Sequence, residues 1–149
     1  MGSYFSKWIG IVVMAVMLCV TGLVMSGEAQ AQRFVDNGNG TVTDTQTNLM
    51  WTKSGFQFDS AMSWDGAMSR CQSFSIAGIS GWRLPNKDEL LGLSGSGGPF
   101  TAVSHLGYWS STSYELNSVW AYLVNVQYGS VTGKVKSYYA RAWPVRNAQ

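Results

Sequence analysis

The period of the apolar residues changes several times along this chain, and each change predicts an element. From Arg33 to Lys53 short apolar runs are cut by turn residues, which predicts strand, turn, strand, turn, strand. Phe34 and Val35 open it, and Asn37-Gly38-Asn39-Gly40 supplies residues that tolerate positive φ. Thr41-Val42-Thr43 alternates, Thr45 to Asn48 is a second turn, and Leu49-Met50-Trp51 is a third run. After a polar and aromatic loop from Ser54 to Ser60, Trp64, Ala67, Met68 and Cys71 fall at i, i+3, i+4 and i+7. That spacing predicts a helix capped by Ser63.

The stretch GWRLPNKDELLGL, Gly81 to Leu93, writes a strand, a stop and a helix start back to back. Trp82 and Leu84 flank Arg83, so a short strand sends both to one face. Pro85 cannot donate to a ladder and holds Leu84 away from helical dihedrals. Asn86 is then an N-cap, and Glu89 can reach back to the Asn86 amide in a capping box. Leu90, Leu91 and Leu93 form the apolar side, and Ser94 to Pro99 reads as a surface loop. Further on, Tyr108 to Ser111 predicts a strand. Val119 to Val126 predicts a central strand, because both of its faces carry bulk. Gln127-Tyr128-Gly129-Ser130 is a hairpin turn, Val131 to Ser137 the return strand, and Tyr138 to Val145 the last. Two early helices and a late antiparallel sheet place the chain in the α+β class.

The first 31 residues are expected to lie outside the fold. Lys7 precedes an apolar run from Trp8 to Met25, and Ala29-Gln30-Ala31 supplies the small residues of a signal-peptidase site. A retained membrane anchor is the alternative, since the run is long enough for one. Cys19 is a poor lipoprotein site, because Leu18 precedes it. The expectation is an exported protein, periplasmic, cell-surface or secreted, with residues 32–149 as one domain. Membrane contact is then confined to the segment before cleavage.

Net charge is +2, too mild to argue for nucleic acid. Cys71 is the sole cysteine after residue 31, so packing rather than a disulfide must stabilise this part. On its apolar stripe it reads as a buried thiol. His105 is the sole histidine, which leaves no histidine pair or Cys/His cluster for a metal. A calcium loop counted from Asp36 fails, because Gly38 and Gly40 stand where ligands are required. Asp88 and Glu89 are explained by helix capping. With no convergent titratable set, we expect neither an enzyme nor a cofactor.

The candidate chemistry is therefore recognition. Tyr114, Asn117, Tyr122, Tyr128, Lys134 and Lys136 mix flat aromatics, an amide and ammonium groups, with Tyr138 and Tyr139 beside them. Aromatic faces and amides suit sugars or polar protein surfaces, and lysines suit sulfate or carboxylate. Lys134 and Lys136, two apart on a strand, share a face. Against this, half of any strand's residues face the core, and two such lysines also describe an ordinary solvated strand. Trp82, Pro85, Asn86 and Glu89 are structural candidates. The partner is expected to be a glycan or a surface protein.

Several motifs, in order, carry a resemblance. RFVDNGNGTVTDTQTNLMWTK, SWDGAM, GWRLPNKDEL, PFTAV, YWSSTSY, the VWAYLVNV-x-x-GSV hairpin and ARAWPVR are similar to the Lcl C-terminal-domain family, from Arg33 to Arg146. This bacterial domain, largely of unknown function, is named after the C-terminal part of a collagen-like adhesin. The resemblance implies a C-type-lectin-like fold, with two helices flanking a twisted antiparallel sheet. It also implies a secreted or surface location and, from the named member, sulfated-polysaccharide binding and adhesion. WRLP-x-x-x-E also resembles the formylglycine-generating enzymes, which work through a pair of copper-binding cysteines. Cys71 cannot supply that pair, and Trp143 stands where relatives often carry a second cysteine. The Asn, Tyr and Ser enrichment after Trp109 further resembles targets of diversity-generating retroelements. A binding module leads these readings, ahead of an envelope structural or assembly component and a modifying enzyme.

Overall fold

The computed structural model describes residues 32–149, and the expected signal segment and Cys19 lie outside the described residues. The early strands form where the runs predict: β1 (Phe34–Asp36), β2 (Thr41–Asp44) and β3 (Leu49–Thr52). Gly38 and Gly40 take φ of 72° and 85°, conformations open to glycine at the β1–β2 turn. Two helices follow, α1 (Trp64–Gln72) and α2 (Lys87–Gly92). Then come β4 (Tyr108–Ser113), β5 (Trp120–Asn125), β6 (Ser130–Val135) and β7 (Val145–Asn147).

Both helix starts obey their caps. Ser63 accepts a hydrogen bond from the Gly66 amide at 3.4 Å. Asn86 accepts from the Glu89 amide at 2.8 Å, and the Glu89 carboxylate accepts from the Asn86 amide at 2.8 Å. Glu89 also takes Arg83 in a two-pronged ion pair, with nitrogen–oxygen distances of 2.8 and 2.6 Å. Burial pushes the Glu89 pKa up, but Arg83 and the Asn86 amide outweigh it and hold the group below its ordinary 4.5.

The strands make two antiparallel sheets, ordered β1-β2-β3-β7 and β4-β5-β6, rather than one. The architecture remains α+β, with sheet predominating. Two sequence expectations need correction here. Trp82 and Leu84 are both buried as their alternation requires, but no strand forms around them. Arg83 makes one bridge, to Val145, and Pro85 brings no N–H with which to extend it. The segment from Tyr138 to Val145 is also not a strand. Ala140 bridges Met62, Arg141 bridges Tyr108, and only from Val145 does the chain pair regularly, with β3. Its alternation reflects successive contacts with three different segments.

Two hydrophobic clusters fill the interior. One joins Phe34, Val42 and Trp51 of the first sheet to Leu90 of α2, Tyr108, Val124 and Trp143. The other joins Ala67 and Cys71 of α1 to Leu84, Trp109, Ala121 and Leu123. Trp143, fully buried, packs against Trp51, Phe100 and Tyr108 at ring-centroid distances of 5.8, 5.2 and 5.0 Å. Its Nε1–H donates to the Thr52 carbonyl at 2.8 Å.

Trp143→Ala should therefore destabilise the fold by about 3–5 kcal/mol, the range for an emptied aromatic site, as read by urea melts. An effect below about 1 kcal/mol would mean the two sheets do not depend on this ring.

Asn86→Ala should cost about 0.5–2 kcal/mol, as a lost N-cap does. Glu89→Ala should cost more, because it removes the Arg83 pair as well as the box. A carboxylate with a lowered folded pKa stabilises above its unfolded pKa. That contribution fades as pH falls through about 4.5 towards the folded value. Glu89→Gln should accordingly flatten the acid limb of a stability–pH curve. An unchanged limb would show that Glu89 does not contribute to it.

Candidate functional site

The candidate recognition residues gather around the sheet β4-β5-β6. Residues of β5 alternate between environments, as a central strand requires. Ala121 and Leu123 enter the cluster with α1, and Val124 enters the cluster with Leu90. At the start of β5 no buried partner covers Trp120, which remains exposed, and Tyr122 is half-buried.

Tyr114 and Tyr122 meet there, as an aromatic surface requires. Tyr114 lies 5.2 Å from Tyr122 and 6.3 Å from Trp120, with interplanar angles of 58° and 45°. The ring of Tyr114 also covers Gly133, where a Cβ would lie 3.2 Å from its nearest ring carbon. Lys87, from the start of α2, places its ammonium 4.8 Å from the Tyr122 ring centre. The Tyr122 hydroxyl donates to Glu115. This bond pushes the Tyr122 pKa up to about 12 and holds Glu115 below its ordinary value. Lys87, Glu115 and Trp120 were absent from the sequence candidates. Only the α2 capping motif pointed at Lys87, and it explained a helix start rather than a surface.

The other candidates do not join this platform. Asn117 lies in the β4–β5 turn, where its Oδ1 accepts from the Val119 amide at 3.1 Å. Tyr128 is 71 % exposed but lies on the β5–β6 turn, at the opposite end of the hairpin from Tyr114. The structure therefore does not bring the two tyrosines together. Beside that turn is a cleft of about 330 Å³, lined by Leu93, Phe100, Val103, Val126, Gln127 and the Gly95–Gly98 backbone, with no charged group.

Lys134 and Lys136 lie on the same side, but only Lys134 is on the strand: β6 ends at Val135, and Lys136 opens the turn after it rather than continuing the strand to Ser137. Lys134 is opposite Ala121, and the Lys136 amide donates to the Val119 carbonyl at 2.9 Å. Each ammonium rests on an aromatic ring: Lys134 on Tyr138 at 5.2 Å, Lys136 on Trp64 at 4.0 Å. Lys136 also donates to the Ser113 hydroxyl at 3.0 Å. Among the described residues no carboxylate lies within ion-pair distance of Lys87, Lys134 or Lys136. Arg141 does not add to them, because its guanidinium donates to the Phe58 and Asp59 carbonyls and stacks on Phe56.

The asparagine- and aspartate-rich β1–β2 turn spends its oxygens locally. Asp36 accepts from the Gly38 amide at 3.0 Å and pairs with Lys53 at 2.6 Å. Asn39 accepts from the Thr41 amide and hydroxyl. A comparison with protein families decides what this arrangement belongs to. The profile of the Lcl C-terminal domain matches residues 40–146. The chain belongs to the Lcl C-terminal domain family. A search of curated proteins found no match.

In this Lcl C-terminal domain the one thiol is not poised for chemistry. Cys71 is fully buried among Ala67, Trp109 and Leu123, and burial pushes its pKa up to about 12. Thiolate, the reactive form, is suppressed at neutral pH. Native protein should therefore resist a thiol reagent and react stoichiometrically once denatured. Rapid labelling of the native state would reopen a reactive role for Cys71.

Proposed function

We propose that this protein is an exported, non-enzymatic binding module that takes an anionic extracellular polysaccharide in an adhesive or surface-interaction role. The observation that carries this reading is the pair Lys134 and Lys136. They stand on the same side, each on an aromatic ring, with no carboxylate among the described residues within ion-pair distance. A ring positions an ammonium without cancelling its charge, so N–H donors stay available to sulfate or carboxylate. Such charge-assisted bonds are the strong ones, and two on one side suit a repeating polyanion. Family membership supports the reading, since resemblance to the Lcl C-terminal domain implies a C-type-lectin-like fold and sulfated-polysaccharide binding. The signal-like segment supports export.

A protein partner is the second reading, favoured by apolar exposure around the β4–β5 turn. Leu116 is 86 % and Val119 59 % exposed, and Trp120 adjoins them. A contiguous apolar rim of this kind is a usual mark of protein contact. An envelope assembly role would use the same rim.

Lys134→Ser with Lys136→Ser should weaken binding to an immobilised sulfated polysaccharide by about tenfold or more, from two lost charge-assisted hydrogen bonds. Affinity of the parent protein should fall as salt rises. Stability should drop only slightly, since exposed cation–π contacts contribute about 0.5–1 kcal/mol each. No affinity of the parent protein even at low ionic strength would sink the polysaccharide reading and leave the apolar rim as the lead.

A further inference from the structure

Of the four sheet margins among the described residues, β4 and β7 are closed by other segments, and of the two left open β6 is the longer. Beyond β4, the Ser111 amide donates to the Pro85 carbonyl at 2.7 Å and the Trp109 amide to the Arg141 carbonyl at 2.8 Å. Beyond β7, Arg83 and Val145 exchange two backbone bonds. The outer strand β1 is only three residues long. By contrast β6 runs for six residues, pairs only with β5, and keeps register through six consecutive pairs without a bulge. It holds no proline, and its one charge, Lys134, leans onto Tyr138. Native edges are ordinarily blunted by bulges, prolines or projecting charges.

The direction of the unpaired groups follows from two bonds. The Tyr114 amide donates to the Trp120 carbonyl at 2.9 Å, so the Trp120 backbone faces β4. The Lys136 amide donates to the Val119 carbonyl, so the Lys136 backbone faces the β5 side. Alternation then turns Ser130, Thr132 and Lys134 towards β5, and Val131, Gly133 and Val135 outwards. The outward set is symmetric about Gly133: a valine two residues before it and another two after, each 38 % exposed.

We propose that two copies of this chain pair antiparallel through β6 about a two-fold axis at Gly133, fusing their three-stranded sheets. Closed two-fold pairing requires a self-complementary surface, and this strand supplies one. In that register Val131 faces the partner's Val135, and Gly133 faces the partner's Gly133 and exchanges two N–H···O bonds with it. Each Val135 amide donates to the partner's Val131 carbonyl, while the Val135 carbonyl keeps its bond from the Tyr138 amide at 2.8 Å. Because Tyr114 lies over Gly133, the two Tyr114 rings come onto neighbouring strands of one face. On the other face Lys134 sits beside the partner's Thr132, with the partner's Lys134 on the diagonal, about 7–8 Å away along the strands. Like charges at that distance repel, so pairing strengthens as salt screens them. The paired lysines would also double the cationic stripe, a consequence that rests on the polysaccharide reading; the pairing itself does not.

Sedimentation equilibrium of unliganded residues 32–149, which contain both hydrophobic clusters and every strand described, tests the pairing. A reversible monomer–dimer equilibrium is expected, tighter at physiological than at low salt. Val131→Lys should weaken it by about tenfold or more, whereas Val35→Lys on β1 should leave it unchanged. A chain carrying both Thr132→Cys and Lys134→Cys should form a covalent dimer on mild oxidation, while Lys134→Cys alone should not. Near-ultraviolet circular dichroism would report whether each variant stays folded. A monomer up to millimolar concentration, a folded Val131→Lys that dimerises as well as the parent, or cross-linking by Lys134→Cys alone would each overturn the proposal.

Discussion

The burial of Trp143 is the constraint on which the rest of the structure depends. The indole is the point where the two sheets share contacts: Trp51 belongs to β3, Tyr108 to β4, and the Thr52 carbonyl caps the ring nitrogen. A disulfide within residues 32–149 is ruled out by their single cysteine. Packing must supply the stability, and aromatic rings bury the most area per residue. The requirement spreads outward from the indole. Tyr108, next to it, accepts from the Ser104 amide at 2.6 Å, and its hydroxyl occupies the space where a Cβ on Gly55 would fall. Gly55 therefore has to be glycine for reasons of space. Phe100 in turn carries the contact on to Phe34 of β1 at 5.2 Å.

Features set by neighbours in sequence were legible before the structure. Both N-caps, the capping box, the Cys71 stripe and the hairpin β5–β6 depend on residues a few positions apart. What the sequence concealed depends on distant contacts. The alternation from Tyr138 to Val145 looks like a strand, yet Ala140, Arg141 and Val145 each serve a different partner. The division into two sheets follows from that crossing, because β7 leaves the late strands and joins β3. Periodicity records that a side chain is buried. It does not record against what.

The candidate site divides in the same way. Tyr114 and Tyr122 were recognisable because a hairpin's near end brings a turn residue over its strand. Tyr128 lies apart from them, as hairpin geometry requires by placing successive turns at opposite ends. Lys87 was hidden because its reason for approaching Tyr122 lies in the docking of α2, where its amide donates to the Thr112 hydroxyl at 3.0 Å. Arg83, three residues before the cap, is likewise fixed by both Glu89 and Val145, so this short helix is held by its neighbours more than by its own length.

The cations of this domain are held in two opposite ways. Arg33 meets Asp44, Lys53 meets Asp36 and Arg83 meets Glu89, all in the part of the chain before β4. Burial works against the Asp44 carboxylate, yet Arg33 and local donors hold its pKa below the usual range. These cations are consumed in holding turns and a helix start. Beside the late sheet Lys134 and Lys136 rest on Tyr138 and Trp64 instead, and Lys87 reaches Tyr122 from α2. A ring face attracts an ammonium by about 0.5–1 kcal/mol at an exposed site, enough to bias its direction. It leaves the full charge in place, which an ion pair does not. Because net charge is only +2, long-range attraction of a polyanion is weak, and any preference must come from local placement. The physical distinction is therefore between cations neutralised to build the fold, Arg33, Lys53 and Arg83, and cations positioned on rings around the late sheet but left charged, Lys87, Lys134 and Lys136.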